Sequence, residues 1–173
     1  DSEILLRLYQ RQGLESTLPL LRGEFAFALF DAADDCLYLV RDRFGIKPQY
    51  WTMTPEGLVF GSELKVLFAH PAVERRFTSE GLFHQLMQTM VPGTTAFAGV
   101  HQVQPGHVLK VQRRGDRLEV SESKSAADIV RSSVVGVVGK MRRCNRMHPS
   151  RKMLSPPSDS INQSEIAHTI CVV

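Results

Sequence analysis

Phe25, Phe27 and Leu29 alternate along the chain with Ala26, Ala28 and Phe30, and neither set is polar. Successive side chains of a strand point to opposite faces, so this segment offers no face to water and should be covered on both. Cys36–Val40, beyond a turn at Ala32–Asp35, is a second apolar strand and completes a hairpin. Gln49–Met53 and Leu58–Gly61 make another hairpin around "TPEG", and "HVLKVQRRGDRLEVS" alternates around an Arg-Gly-Asp turn to give a last one. Antiparallel strands that are apolar on both sides point to sheets stacked on each other and covered by helices. This is a layered α+β fold.

The helices are read from their periodicity and punctuation. "DSEILLRLYQRQG" places Ile4, Leu5, Leu8 and Tyr9 on one face, with Asp1 or Ser2 as cap, Glu3 in the first turn and Gly13 as stop. A short second helix is expected over Leu14–Leu21, weakened by Pro19. "SELKVLFAHP" predicts a short helix ending before Pro71, and "TSEGLFHQLM" one capped by Thr78 or Ser79. Val91–Gly106 reads as a Pro/Gly-rich connection.

The chain is 173 residues long and 43% hydrophobic, enough for one core. Its net charge of +3 is unevenly placed. Residues 1–123 carry an excess of two acidic groups, whereas residues 124–173 are basic and contain no aromatic residue. Residues 1–123 are therefore taken as the domain. Residues 124–173 are expected to be a tail outside it, disordered or produced by a frameshift. The basic run "KMRRCNRMHPSRK" lacks interleaved aromatics and any known module, so nucleic-acid binding is not expected.

Cys36, Cys144 and Cys171 form no C-x-x-C pair, which fits a reducing compartment. The histidines show no metal-ligand spacing, and His101 and His107 stand alone. No signal peptide opens the sequence, and the apolar stretch near Val134–Val138 is too short to span a bilayer. A cytoplasmic protein without membrane or metal is the expectation.

The stretch "VRDRFGIKPQYW" carries a charged, tightly bent connection. Gly45 suits a crowded or left-handed backbone, and Pro48 holds Lys47 extended and aims the chain into the next strand. Arg41 and Asp42 are placed to pair with neighbours and lock the bend, an architectural role. "VRDRFG" also echoes the protein kinase catalytic loop, but neither a glycine-rich phosphate loop nor a lysine strand precedes it.

"LRGEFAFALFD", "VRDRFGIKPQYW", "VFGSELKVLFAHP" and "VPGTTAFAGVHQVQPGHVLKV" follow one another with spacing that closely resembles the glutaminase domain of glutamine-hydrolysing asparagine synthases. The resemblance covers about residues 1–123 and implies the N-terminal nucleophile hydrolase fold of the class II glutamine amidotransferases. That fold has two antiparallel sheets flanked by helices. It further implies an N-terminal cysteine whose thiolate attacks the side-chain amide of L-glutamine while its α-amine handles the proton. An Asn-Gly-Glu motif would stabilise the oxyanion.

Neither that cysteine, that motif nor the upstream substrate-binding arginine is in this sequence, so truncation at the front and an inactive chain are expected. Cys36, placed in a strand without a base, is read as a small buried apolar residue. Also lacking is the Ser-Gly-Gly-x-Asp-Ser loop with which a following synthetase domain binds ATP. ATP and Mg²⁺ are expected there, and no cofactor or metal in this chain.

Asp1-Ser2-Glu3 matches the Asp-x-Glu start of the corresponding family helix, which makes Asp1 the candidate ligand for the glutamine α-ammonium. Ser62 and Glu63 match a Ser-Glu-x-Lys segment that would face the synthetase domain, the expected partner. Two alternatives remain open. One is a non-catalytic remnant that binds an acidic partner through its basic tail; the other is a related amidotransferase with a different ammonia acceptor.

Overall fold

The computed structural model describes residues 2–89, 91–125 and 168–172. Helix α1 (Ser2–Thr17) breaks its backbone at Gly13, where φ is 79° and ψ is 172°. A 3-10 turn, Leu18–Leu20, follows with Pro19 in its first turn. Gly13 is therefore the expected break, and the helical residues beyond it, continued by the 3-10 turn, form the expected short second segment. Proline is tolerated there because the first N–H groups of a turn have no partner within it.

Eight strands follow: β1 (Ala26–Asp31), β2 (Cys36–Arg41), β3 (Tyr50–Thr54), β4 (Gly57–Gly61), β5 (Val100–Gln102), β6 (His107–Arg114), β7 (Arg117–Lys124) and β8 (His168–Val172). Helix α2 (Leu64–Leu67) and helix α3 (Ser79–Leu86) lie between β4 and β5. Thr78 caps α3, its hydroxyl accepting the Gly81 N–H at 2.9 Å. One sheet runs β7-β6-β2-β1-β8 and the other β4-β3-β5, with every pairing antiparallel. The three hairpins read from the sequence are all present.

The sheets stack as their two-sided apolar strands require. Phe27, Leu29 and Val40 face α1, packing with Leu5, Leu14 and Leu18. Ala28 and Leu39, one residue out of phase, face the second sheet and meet Val103, Leu109, Trp51 and Phe60. On the far side of that sheet Tyr50, Val59 and Val100 pack with Leu67 and Phe68 of the α2 region. The layers are therefore α1, five strands, three strands, α2.

Two expectations are corrected. Ile4 is 62% exposed, because the buried stripe of α1 runs through Leu5, with Leu6 and Tyr9 half-buried beside the core. Val100–Gln102, read as part of a connection, is strand β5, paired with Thr52–Tyr50 of β3. Its edges are clamped by hydroxyls: Thr52 donates to the Gly99 carbonyl and Thr95 to the Val100 carbonyl, both at 2.7 Å.

Most of the expected tail, residues 126–167 and 173, lies outside the described residues, while His168–Val172 adds to the edge of β1. No described helix is long and apolar enough to cross a membrane.

Candidate functional site

Asp1, the residue expected to hold glutamine, lies outside the described residues, and the helix it would open begins at Ser2. In that first turn Glu3 is exposed and engaged with Arg7 at 2.7 Å, one turn further along. An exposed pair of this kind orders the turn weakly.

Among the described residues, the bend after β2 gathers a dense set of buried polar contacts. Asp42 is fully buried. Its carboxylate accepts the N–H groups of Phe44, Ile46 and Lys47 at 3.0, 3.2 and 3.0 Å. Burial alone would push its pKa up, but the backbone donors, Lys47 first, hold it below the usual carboxylate range. The Asp42 carbonyl accepts from Gly45 and from Gly106, which joins the bend to the start of β6.

Arg41 supplies the complementary half. Its guanidinium donates to the carbonyls of Lys47 and Val103 at 2.8 Å each, and to that of Gly45 at 2.5 Å. Burial lowers its pKa, with nearby Asp42 opposing. Gly45 sits at φ +65°, and a Cβ there would meet the Pro105 ring at 2.7 Å. Both charges are thus satisfied by main-chain groups. The bend is architecture, but in place of the expected salt-bridged corner the hydrogen-bond partners of both charges are backbone amides and carbonyls.

Cys36 is fully buried in β2, and burial pushes its thiol pKa up, the opposite of an activated nucleophile. Its charged and polar neighbours are Tyr38, Lys110, Asp34 and Asp31. Tyr9 donates to the Asp31 carboxylate at 2.5 Å, and burial, ahead of that bond, raises the tyrosine pKa. His101 lies against Trp51 with ring centroids 4.7 Å apart, and the His107 Nδ1 is 2.9 Å from the Pro105 carbonyl. Among the described residues no group of three His, Cys, Asp or Glu side chains converges as a metal site.

Glu63 precedes α2 and is exposed, pairing with Lys65 at 2.6 Å, while Ser62 beside it is half-buried.

Gln49 and Trp51 were not singled out by the sequence reading. Gln49 is fully buried; its side-chain amide N–H donates to the Phe27 carbonyl at 3.2 Å, and its main-chain carbonyl accepts from the Val103 N–H at 2.9 Å. It therefore bridges the two sheets. Its Oε1 and the Trp51 Nε1 are buried without a hydrogen-bond partner among the described residues.

Residues 1–121 match the sequence family described as the glutamine amidotransferase domain. The chain is 36% identical over 117 residues to asparagine synthetase [glutamine-hydrolyzing] 3 of Bacillus subtilis, covering 66% of this chain and 19% of that protein. It is 39% identical over 119 residues to amidase chyE of Penicillium rubens, covering 69% of this chain and 17% of that one. Against the human asparagine synthetase [glutamine-hydrolyzing] it is 44% identical over 68 residues, 39% of this chain and 12% of the other. The chain spans less than a fifth of the length of these curated relatives.

Proposed function

This chain belongs to the glutamine amidotransferase domain family, and on that premise we propose that it forms part of the glutaminase domain of a glutamine-hydrolysing asparagine synthase. The observation that carries the reading is the match over residues 1–121, which spans the whole two-sheet frame up to β7 except its last residues. Relatives named as asparagine synthetases in Bacillus subtilis and human support the choice within the family.

In the proposed reaction a thiolate attacks the side-chain amide of glutamine, and the C–N bond breaks to release ammonia. Water then cleaves the thioester to glutamate. Cys36 is no candidate for that thiolate, being buried in mid-sheet with its pKa raised. The nucleophile is therefore assigned to a cysteine outside residues 1–173. What this chain supplies is position. The Asp42–Arg41 lock fixes the corner between the stacked sheets, and Asp1, the residue before α1 in the sequence, is assigned to the glutamine α-ammonium through charge-assisted hydrogen bonds. The ammonia would amidate aspartate in a synthetase segment, to which ATP and Mg²⁺ are assigned, in a cytoplasmic setting.

The test compares the 173-residue chain with the full-length gene product. The chain by itself should release no glutamate from glutamine above a heat-treated control; the full-length protein should release glutamate and form asparagine from aspartate and ATP. In the latter, Asp1→Asn should raise KM for glutamine and leave synthesis from free ammonium unchanged. Glutamate release by the chain alone, or an unchanged KM, would overturn the corresponding part. The similarity to amidase chyE favours one further reading, an amidotransferase with a different ammonia acceptor, which full-length turnover without asparagine would select.

A further inference from the structure

The two segments of α1, on either side of Gly13, are held to the fold unequally. Beyond the break Leu14, Thr17 and Leu18 are all buried, and the Thr17 hydroxyl donates to the Gly13 carbonyl at 2.8 Å. Before it, from Glu3 to Gln12, only Leu5 is buried, with Leu6, Leu8, Tyr9 and Gln12 half-buried. Gly13 itself leaves helical geometry, with φ 79° and ψ 172°, so the anchorage of the later segment does not fix the rotation of the earlier one.

Leu5 packs in the cluster that holds Phe27, Leu29 and Val40. Apolar contact of this kind is not directional, and by itself it leaves a helix able to turn about its axis. Tyr9 supplies the direction. Its hydroxyl donates to Asp31 Oδ2 at 2.5 Å, and Asp31 Oδ1 accepts the Ala33 N–H at 2.9 Å. Asp31 is buried and is the last residue of β1, so the acceptor is tied to the sheet and engaged at both oxygens. The Tyr9 ring also lies against Tyr38 of β2, with centroids 6.4 Å apart. Burial first, and then the Asp31 carboxylate, raise the pKa of the phenol, which keeps it a donor at neutral pH.

Leu5 and Tyr9 are four residues apart and share one stripe of the helix, and the same spacing leads back to Asp1. Ser2, where α1 begins, lies about 10 Å along the axis from Tyr9. Fixing rotation and axial position at Tyr9 therefore fixes the direction from which the chain enters α1.

We propose that Tyr9 is a positioning residue for glutamine: through Asp31 it sets the phase of the first segment of α1 against the five-stranded sheet, and with it the place at which Asp1 meets the glutamine α-ammonium. The inference rests on the glutaminase reading and adds a determinant of its substrate site. A charge-assisted contact to an ammonium group depends on distance and angle. A segment free to turn about Leu5 must be ordered when glutamine binds, which costs affinity. The contact is made in bound glutamine and throughout the attack on its amide alike, so its loss falls on KM and not on kcat.

The experiment uses the full-length gene product and its Tyr9→Phe, Asp1→Asn and doubly substituted variants, with KM and kcat for glutamine read from glutamate release. Phenylalanine keeps the ring and removes only the donor. Tyr9→Phe should raise KM about tenfold, inside the roughly hundredfold that a misplacement of about 1 Å can cost. Its kcat should stay within about twofold, which also shows that the domain is folded. In the Asp1→Asn background Tyr9→Phe should add less than about twofold, because the two residues act through one contact. A fall in kcat without a rise in KM would make Tyr9 a stabilising contact only and overturn the proposal. A full effect of Tyr9→Phe in the Asp1→Asn background would overturn it as well, since Tyr9 would then act by a route that bypasses Asp1. An unaltered protein that releases no glutamate would remove the glutaminase reading and this inference with it; glutamate release with a KM indifferent to Tyr9 would remove this inference alone.

Discussion

The Arg41 guanidinium donates to the Val103 carbonyl at 2.8 Å, across 62 residues of sequence. One hydrogen bond thereby ties the end of β2, in the five-stranded sheet, to the segment that leaves β5 in the other. The same side chain holds the Lys47 and Gly45 carbonyls, so a single planar group sets both the bend and the spacing of the layers.

Because three carbonyls are held by one rigid fork, Arg41→Lys should not be conservative. A flexible ammonium cannot reach all three acceptors in the same geometry. We expect a loss of about 2 kcal/mol, of the order of one charged hydrogen bond, seen as a lower urea midpoint with an unchanged slope.

Asp42 makes stability depend on acid. Its folded pKa lies below the unfolded value, so its contribution is fully present above the unfolded pKa, about 4, and is lost as pH falls through the folded one. Urea midpoints measured from pH 7 downward should hold level to about pH 5 and then fall. Asp42→Asn should lower the plateau and flatten the acid limb; an unaltered limb would remove Asp42 from this role.

Gly45→Ala places a methyl group 2.7 Å from the Pro105 ring and 3.0 Å from the Arg41 guanidinium carbon, at a φ that L side chains avoid. The left-handed backbone costs roughly 1–2 kcal/mol by itself, and the clash adds to it. Thermal unfolding should show a drop larger than that of Arg41→Lys.

Gln49 offers the opposite sign. Its Oε1 is buried without a partner among the described residues, and desolvating such an atom costs about 1–3 kcal/mol. Gln49→Leu, similar in volume, should leave stability equal or raise it by about 1 kcal/mol. Gln49→Ala should destabilise by leaving a cavity between the sheets. A large loss in the leucine variant would show that the bond to the Phe27 carbonyl outweighs the orphaned oxygen.

Cys36 should be silent toward thiol reagents in the folded state. Burial both raises its pKa and removes access, so iodoacetamide should modify it in urea and spare it in buffer, as read by peptide mass spectrometry.

Much of the frame was legible because its signals are local. Alternation in Phe25–Phe30 and Cys36–Val40 announces strands covered on both sides, and Gly45 and Pro48 announce the bend between them. What escaped was set at a distance. β5 is three residues long, and only the β3 edge and the hydroxyls of Thr52 and Thr95 make it a strand. Ile4 shares a helical stripe with Leu5, and only the angle at which α1 meets the sheet exposes it. Asp1 is proposed only through resemblance to a family motif, a signal that spacing in one chain does not contain.

By itself, then, the amino-acid order determined which segments are strands, where the chain turns and to which family the pattern belongs, because these follow from side-chain period and backbone restriction over a few residues. Only the tertiary structure decided that Arg41 reaches Val103, that Gln49 spans two sheets and that β8 lies on β1. Those contacts join residues whose separation in sequence carries no information about their separation in space. Their energies exist only once the layers have closed and excluded water.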